Sequence, residues 1–201
     1  DELIQRIKEC WASLFTKRAC VYRERNDISH ADAEMAVVVQ QMVDATVSGV
    51  LFTSDPVSGD EKMTIESAWG LGEGVVAGEV TPDRFVVDGE TGELLTTDLS
   101  TKRQQYTWSG DDTELIAVPE AKQEARTLTD DQIQTLWTTA QEITDYFGEP
   151  QDIEWAIDDG ELYILQSRPI TSITSSATAD TETGVIVEGL GASPGTAAGT
   201  V

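Results

Sequence analysis

Residues 152–171 read DIEWAIDDGELYILQSRPIT. Two runs of strand-forming residues flank Asp158-Asp159-Gly160, the pattern of a β-hairpin. Set among Ile, Trp, Leu and Tyr are an acid (Glu154), an amide (Gln166) and a guanidinium (Arg168). Side chains alternate between the two faces of a strand, so loop length decides which of them meet. A two-residue loop at Asp159-Gly160 sets Glu154 against Leu165 and leaves Gln166 on the other face. A three-residue loop, with Gly160 in the left-handed bulge position, sets Ile157 against Glu161 and Glu154 against Ile164. Asp152, Glu154, Gln166 and Arg168 then share one face, and Ile153, Trp155, Ile157, Tyr163 and Leu165 share the other. This second register is the expected one, because it sorts polar from apolar and buries no unpaired acid. It makes Glu154 and Gln166 diagonal neighbours, ~7–8 Å apart at the backbone. Two oxygen-bearing side chains so placed suit a magnesium ion that substrate phosphates complete. Arg168 extends the face with a fork shaped for phosphate oxygens. A solvated sheet face carrying a Glu–Arg pair is the alternative reading.

Upstream of the hairpin, Thr129 and Gln132 form a capping box, and Ile133, Leu136, Trp137, Ala140, Ile143 and Phe147 make one apolar stripe. Gly148 and Pro150 end that helix. Residues 2–19 also have helical spacing, through Leu3, Ile4, Ile7, Trp11, Leu14 and Phe15. AVVVQQMV (36–43) reads as a buried strand paired with SGVLFTS (48–54). MTIESAW (63–69) reads as a third strand. RFVVD (84–88) and ELLTTD (93–98) flank a Gly-Glu-Thr-Gly turn as a further hairpin. Residues 99–128 carry weak signals and read mostly as loop. GLGEGVVAGE (70–79) lacks the Gly-Lys-Ser/Thr ending of a P-loop. Residues 72–77 match a dinucleotide-binding pattern, but Gly78 and Pro82 interrupt the helix that pattern requires. A backbone loop near a phosphate and a simple connection both remain open there. The expected fold class is α+β.

The chain has 201 residues, 37 acidic against 13 basic, for a net charge of −24. Such a surface repels nucleic acid and anionic lipid, so neither is an expected partner. It points to a cytoplasm of high salt, where screening shortens the repulsion, or to an ordinary acidic protein that excludes wrong partners. No apolar run reaches the length of a membrane span. Cys10 and Cys20 form no metal-spaced cluster and no disulfide framework. The single histidine, His30, reads as structural or surface. Residues 171–184, rich in Ser, Thr and Ala, have the composition of a linker. Strand-like patterning resumes after it.

Five stretches carry a family likeness: CWASLFTKRA (10–19), MAVVVQQMV (35–43), SGVLFTSDPVSG (48–59), ESAWGLGEGVVAGEVTPD (66–83) and GEPQDIEWAIDDGELYILQSRPIT (148–171). The chain resembles the ATP-binding domain shared by phosphoenolpyruvate synthase, pyruvate phosphate dikinase and rifampicin phosphotransferase. GASPGTAAGTV (191–201) is similar to the start of that family's swivelling phosphohistidine domain. The resemblance implies an ATP-grasp lobe over residues 1–172 with a mostly antiparallel sheet and packed helices, incomplete on its N-terminal side. A linker at 173–184 and the swivelling domain from 185 would follow. It also implies Mg²⁺ and ATP as ligands. Glu154 and Gln166 would handle the metal and phosphates, and Arg168 would contact the phosphates. Gln40 (with Gln41 as neighbouring candidate) would help hold the nucleotide, and Glu66 is a further candidate for the same cleft. The family relay moves the β-phosphate of ATP to a histidine on the mobile domain, with the γ-phosphate released to water or inorganic phosphate, and then to an acceptor, pyruvate first and a rifamycin second, leaving AMP; a non-catalytic acidic α+β binding module is the alternative reading. The phosphorylated histidine is expected beyond Val201, the pyruvate site in a C-terminal domain, and little or no turnover from these residues alone.

Overall fold

The computed structural model describes residues 2–55, 60–110 and 112–170; the expected linker and the expected opening of a swivelling domain lie outside them. The chain divides into two units, Asp1–Met42 and the remainder from Val43.

In the first unit, the expected single helix is two: α1 (Glu2–Ser13) and α2 (Lys17–Arg25). Thr16 causes the break. Its backbone is extended and its hydroxyl accepts from the Ala19 N–H, so it caps a new helix instead of continuing the old one. Arg23 is buried; its Nε donates to His30 Nδ1 at 2.9 Å, and its Nη2 donates to the Leu14 carbonyl. His30 therefore has a structural partner, and Cys10 and Cys20 are free thiols. Residues 36–43 are not a strand. A strand needs a neighbour for its N–H and C=O groups. The strand expected to supply one has both edges occupied, as the sheet order shows. Val38 and Val39 are exposed, which the apolar run alone did not foretell.

The second unit is built on six strands: β1 (Val47–Phe52), β2 (Lys62–Trp69), β3 (Asp83–Asp88), β4 (Leu94–Asp98), β7 (Gln151–Asp158) and β8 (Glu161–Pro169). They form one sheet in the order β4-β3-β2-β1-β7-β8, with each neighbouring pair antiparallel. The fold is α+β with a mostly antiparallel sheet, consistent with an ATP-grasp-like lobe. One face packs on α5 (Asp130–Phe147), whose Ile133, Leu136 and Ala140 join Val47, Leu51, Ile65, Phe85, Ile153 and Trp155 in the main core. The capping box is made: Gln132 N donates to Thr129 Oγ1, and Thr129 N to Gln132 Oε1. Gly148 ends the helix at φ 73°, the left-handed conformation that glycine adopts without strain.

Gly49 lies mid-β1, opposite Ser67 on one side and buried Trp155 on the other. A Cβ there would stand 1.8 Å from the Glu66 carbonyl oxygen, which belongs to backbone and cannot rotate away. Gly49→Ala is expected to cost about 1–3 kcal/mol through strand displacement. Thermal unfolding checks it, as a lowered Tm.

Residues 99–128 hold more structure than expected: a hairpin of β5 (Gln104–Ser109) and β6 (Asp112–Ala117), then a single turn α4 (Glu120–Gln123). Half-exposed strands rich in Gln, Thr and Glu give no clear alternation, so periodicity misses them. A buried ion pair anchors the segment. Lys102 Nζ lies 2.6 Å from Asp83 Oδ1, with both side chains fully buried. Asp83 also accepts from Ser100 N, Thr127 N and Thr127 Oγ1 at 2.9–3.0 Å.

Candidate functional site

The hairpin turn differs from expectation, and the site exists because of how the difference is absorbed. Asp158 pairs with Glu161, so the loop has two residues. Asp159 and Gly160 both have positive φ, 47° and 84°, as in a type I′ turn. That turn matches the right-handed twist of the strands, and Asp tolerates the left-handed region. A regular ladder from this turn would set Glu154 against Leu165. The register instead shifts between Glu154 and Trp155, leaving Leu165 as a bulge. Glu154 then lies directly opposite Gln166, and Asp152 opposite Arg168. The four polar residues share a face through the bulge, not through a three-residue loop, and Glu154 and Gln166 are direct partners, not diagonal ones. The bulge also exchanges two apolar positions. Leu162, opposite Ile157, packs on the main core, whereas Tyr163 pairs with Ala156 on the polar side and Leu165 packs beside Ala156.

Gln166 Nε2 donates to Glu154 Oε1 at 3.1 Å. Arg168 grips Asp152 twice, through Nε at 2.9 Å and Nη2 at 2.7 Å to the same Oδ2. The Arg168 side chain is 65% exposed and that of Asp152 only 11%, so the acid is the fixed member and the guanidinium the one free to reach outward. The Glu154 carboxyl is held above the ordinary glutamate range; burial raises it most, the Asp152 charge raises it further, and Arg168 lowers it. A half-buried carboxylate beside a second acid is held at a cost that a cation would remove.

Glu66 occupies the same face. It and Glu154 are both opposite Val50, on either side of β1. Its carboxyl is also raised, by burial, against a lowering by Arg84. Gln40 and Gln41 belong to the first unit and are not part of this sheet. The glycine-rich segment contributes one helical turn, α3 (Glu73–Val76), and no longer helix, so the dinucleotide pattern there is not a βαβ crossover. The β5–β6 hairpin seats on it: Tyr106 O accepts from Leu71 N at 2.9 Å, and Thr113 Oγ1 donates to Glu73 Oε2 at 2.7 Å. Asp152, expected on this face from its D-x-E spacing but given no role there, is the partner that holds Arg168.

A metal bridging Glu154 and Gln166 fits these donors in kind: a carboxylate, a carboxamide oxygen reached by half a turn of the amide, and a second carboxylate one pleat away. Among the described residues, no group of three or more His, Cys, Asp or Glu is placed to hold a metal unaided.

The family described as pyruvate phosphate dikinase, AMP/ATP-binding domain, matches residues 1–185. The chain belongs to that family. Its full length is 46% identical to a probable phosphoenolpyruvate synthase of Methanothermobacter thermautotrophicus, where it covers 30% of that protein. It is 43% identical to phosphoenolpyruvate synthase of Pyrococcus furiosus, covering 26% of that protein. Over 86% of the chain it is 42% identical to rifampicin phosphotransferase of a Streptomyces species, covering 20% of that protein. The chain thus spans less than a third of the length of these dikinase-family relatives. No helix among the described residues is long and apolar enough to cross a membrane.

Proposed function

We propose that the chain is the ATP-binding portion of a phosphoenolpyruvate synthase-like dikinase, and that ATP lies on the open face of the sheet with its phosphates at β7 and β8. The observation that carries this reading is the bulged pairing that sets Glu154 against Gln166 and Asp152 against Arg168 on one face. Glu154 and Gln166 hold Mg²⁺, which would offset phosphate charge as it moves. Arg168 leaves Asp152 and turns its fork to the phosphate oxygens. Gln40 and Glu66 help hold the rest of the nucleotide.

In this reading the β-phosphate of ATP passes to a histidine on a swivelling domain, with the γ-phosphate released to water, and from there to pyruvate. AMP, phosphate and phosphoenolpyruvate are the products, in the cytoplasm. Pyruvate is preferred as acceptor because the relatives named phosphoenolpyruvate synthase match the whole chain, whereas the rifampicin phosphotransferase match stops at 86% of it. The one histidine present, His30, is engaged by Arg23, so these 201 residues are expected to bind nucleotide without completing a turnover. Conversion of pyruvate to phosphoenolpyruvate by this chain alone would contradict that. The net charge of −24 supports a high-salt setting.

Calorimetric titration with ATP, with and without Mg²⁺, tests the reading on the protein at its full natural length. Arg168→Ala is expected to weaken ATP binding at least about tenfold, the loss of charge-assisted hydrogen bonds. Absence of Mg²⁺-dependent ATP binding, or binding indifferent to Arg168→Ala, would overturn it.

A further inference from the structure

Directly paired residues on neighbouring strands project from the same side of a sheet. Followed from edge to edge, the pairings join Asp98, Arg84, Glu66, Val50, Glu154 and Gln166 into one row on the face away from α5. Glu66 stands two strand spacings from Glu154, ~10 Å, and Arg84 three, ~14 Å. A ligand whose metal-bound phosphates rest at Glu154 therefore presents some other part to Glu66 and Arg84. For a nucleotide that part is the nucleoside, which offers neutral hydroxyl and amino donors. An ionised carboxylate is acceptor-only and matches them; a protonated one does not.

Glu66 is poorly placed to stay ionised by itself, being half-buried beside Val50. Arg84 is the cation directly across from it. Arg84 Nε is buried and has no hydrogen-bond partner among the described residues. A buried N–H left without an acceptor is costly and rare in folded proteins. The other charged groups along this face are Lys62 on β2, Asp88 on β3, Asp98 on β4, Asp152, Glu154 and Asp158 on β7, and Glu161 and Arg168 on β8. From the glycine-rich segment come Glu73 and Glu79, held by Thr113 and Tyr106 of the β5–β6 hairpin. Arg84 is thus the cation that serves Glu66, since Lys62 stands four residues away along β2 and Arg168 three strands away on β8.

We propose that Arg84 is a positioning residue for the nucleoside end of the site: it keeps Glu66 ionised, and its unpartnered Nε–H closes on that carboxylate when Glu66 accepts a hydrogen bond from the nucleoside. The proposal rests on the reading of this face as an ATP site. Lowering of the Glu66 pKa by the Arg84 charge agrees with it, although burial keeps the net shift upward.

Two measurements test it on the protein at its full natural length. In the first, the Glu66 side-chain carboxyl is titrated by ¹³C NMR without nucleotide. Arg84→Met is expected to raise its midpoint and Arg84→Lys to restore most of the difference; a midpoint that Arg84→Met does not move overturns the proposal. In the second, calorimetry compares Mg²⁺–ATP with Mg²⁺–tripolyphosphate, which lacks the nucleoside. Arg84→Met should weaken ATP binding about tenfold while leaving tripolyphosphate binding unchanged, and should add nothing in a Glu66→Gln background. Equal weakening of both ligands, or an additive effect in that background, overturns it. If the unmodified protein binds neither ligand, the ATP reading of the face fails and takes the proposal with it. If it binds ATP and Arg84→Met is silent, the proposal alone fails.

Discussion

Glu154→Ala is expected to abolish magnesium-dependent nucleotide binding, weakening it by more than about 100-fold, since even loss of a ligand's supporting partner costs 10–100-fold in metal affinity. The reason is geometric. Glu154 faces Gln166 beside the bulge and is flanked by Asp152, so in the proposed site its removal takes away the central oxygen donor. The same substitution should leave the metal-free fold no weaker. Burial and Asp152 hold the Glu154 carboxyl above the ordinary glutamate range, and Arg168 only partly offsets them. A carboxyl that binds its proton more tightly in the folded chain than in the unfolded one loses stability as pH rises from the unfolded value through the raised folded one. Above that window the charged form is held at a cost. Glu154→Gln, which keeps the shape and removes the charge, is therefore expected to raise the Tm of the metal-free chain at neutral pH and to narrow its difference from the Tm near pH 4. A Tm that falls with Glu154→Gln, or magnesium dependence that survives Glu154→Ala, would contradict this account of the residue.

The hairpin shows how far the sequence could be read. Sorting polar from apolar residues brought Asp152, Glu154, Gln166 and Arg168 to one face, and the structure has them there. The means was wrong, because a two-residue turn at Asp159-Gly160 followed by a bulge at Leu165 gives the same parity as a three-residue loop that carries its extra residue at Gly160. Pattern fixes parity and leaves open where the extra residue sits, which is why Tyr163 and Leu165 were assigned to the core and Leu162 was not. The helix over Asp130–Phe147 was legible in its bounds, since cap and stop signal agree, although Phe147, expected in the apolar stripe, is exposed. The strand expected at 36–43 failed for the opposite reason: β-branched residues favour an extended chain, but only a partner strand satisfies its backbone. The row joining Glu66 to Glu154 depends on which strands are neighbours. The order β2-β1-β7, with β7 arriving about a hundred residues later, is a tertiary fact that no local spacing encodes.

The largest expected loss of stability lies away from the site. Lys102→Met should cost about 3–5 kcal/mol, the usual penalty for leaving one member of a buried ion pair without its partner. For a chain of this size that lowers Tm by roughly 10 °C. Asp83 would keep its bonds from Ser100 and Thr127 but hold an uncompensated charge in a place with no solvent contact. Because Thr127 Oγ1 also meets Ser67 Oγ on β2, the network ties residues 100–127 to two strands of the sheet at once. Changing both partners, Asp83→Asn with Lys102→Met, is expected to recover part of the loss, as removing the stranded charge should. Thermal unfolding of the two variants decides it. A single variant as stable as the unmodified chain, or a double variant worse than the sum of its parts, would show that the pair is not what holds this segment.

In the proposed site a nucleotide's metal-bound phosphates rest against β7 and β8 at Glu154 and Gln166. Paramagnetic relaxation with Mn²⁺–ATP in place of Mg²⁺–ATP tests it most directly. Signals of Glu154, Gln166 and their strand neighbours should broaden most, with the effect fading across β1 and β2 toward β3. Broadening centred elsewhere, or spread evenly over the acidic surface, would contradict it.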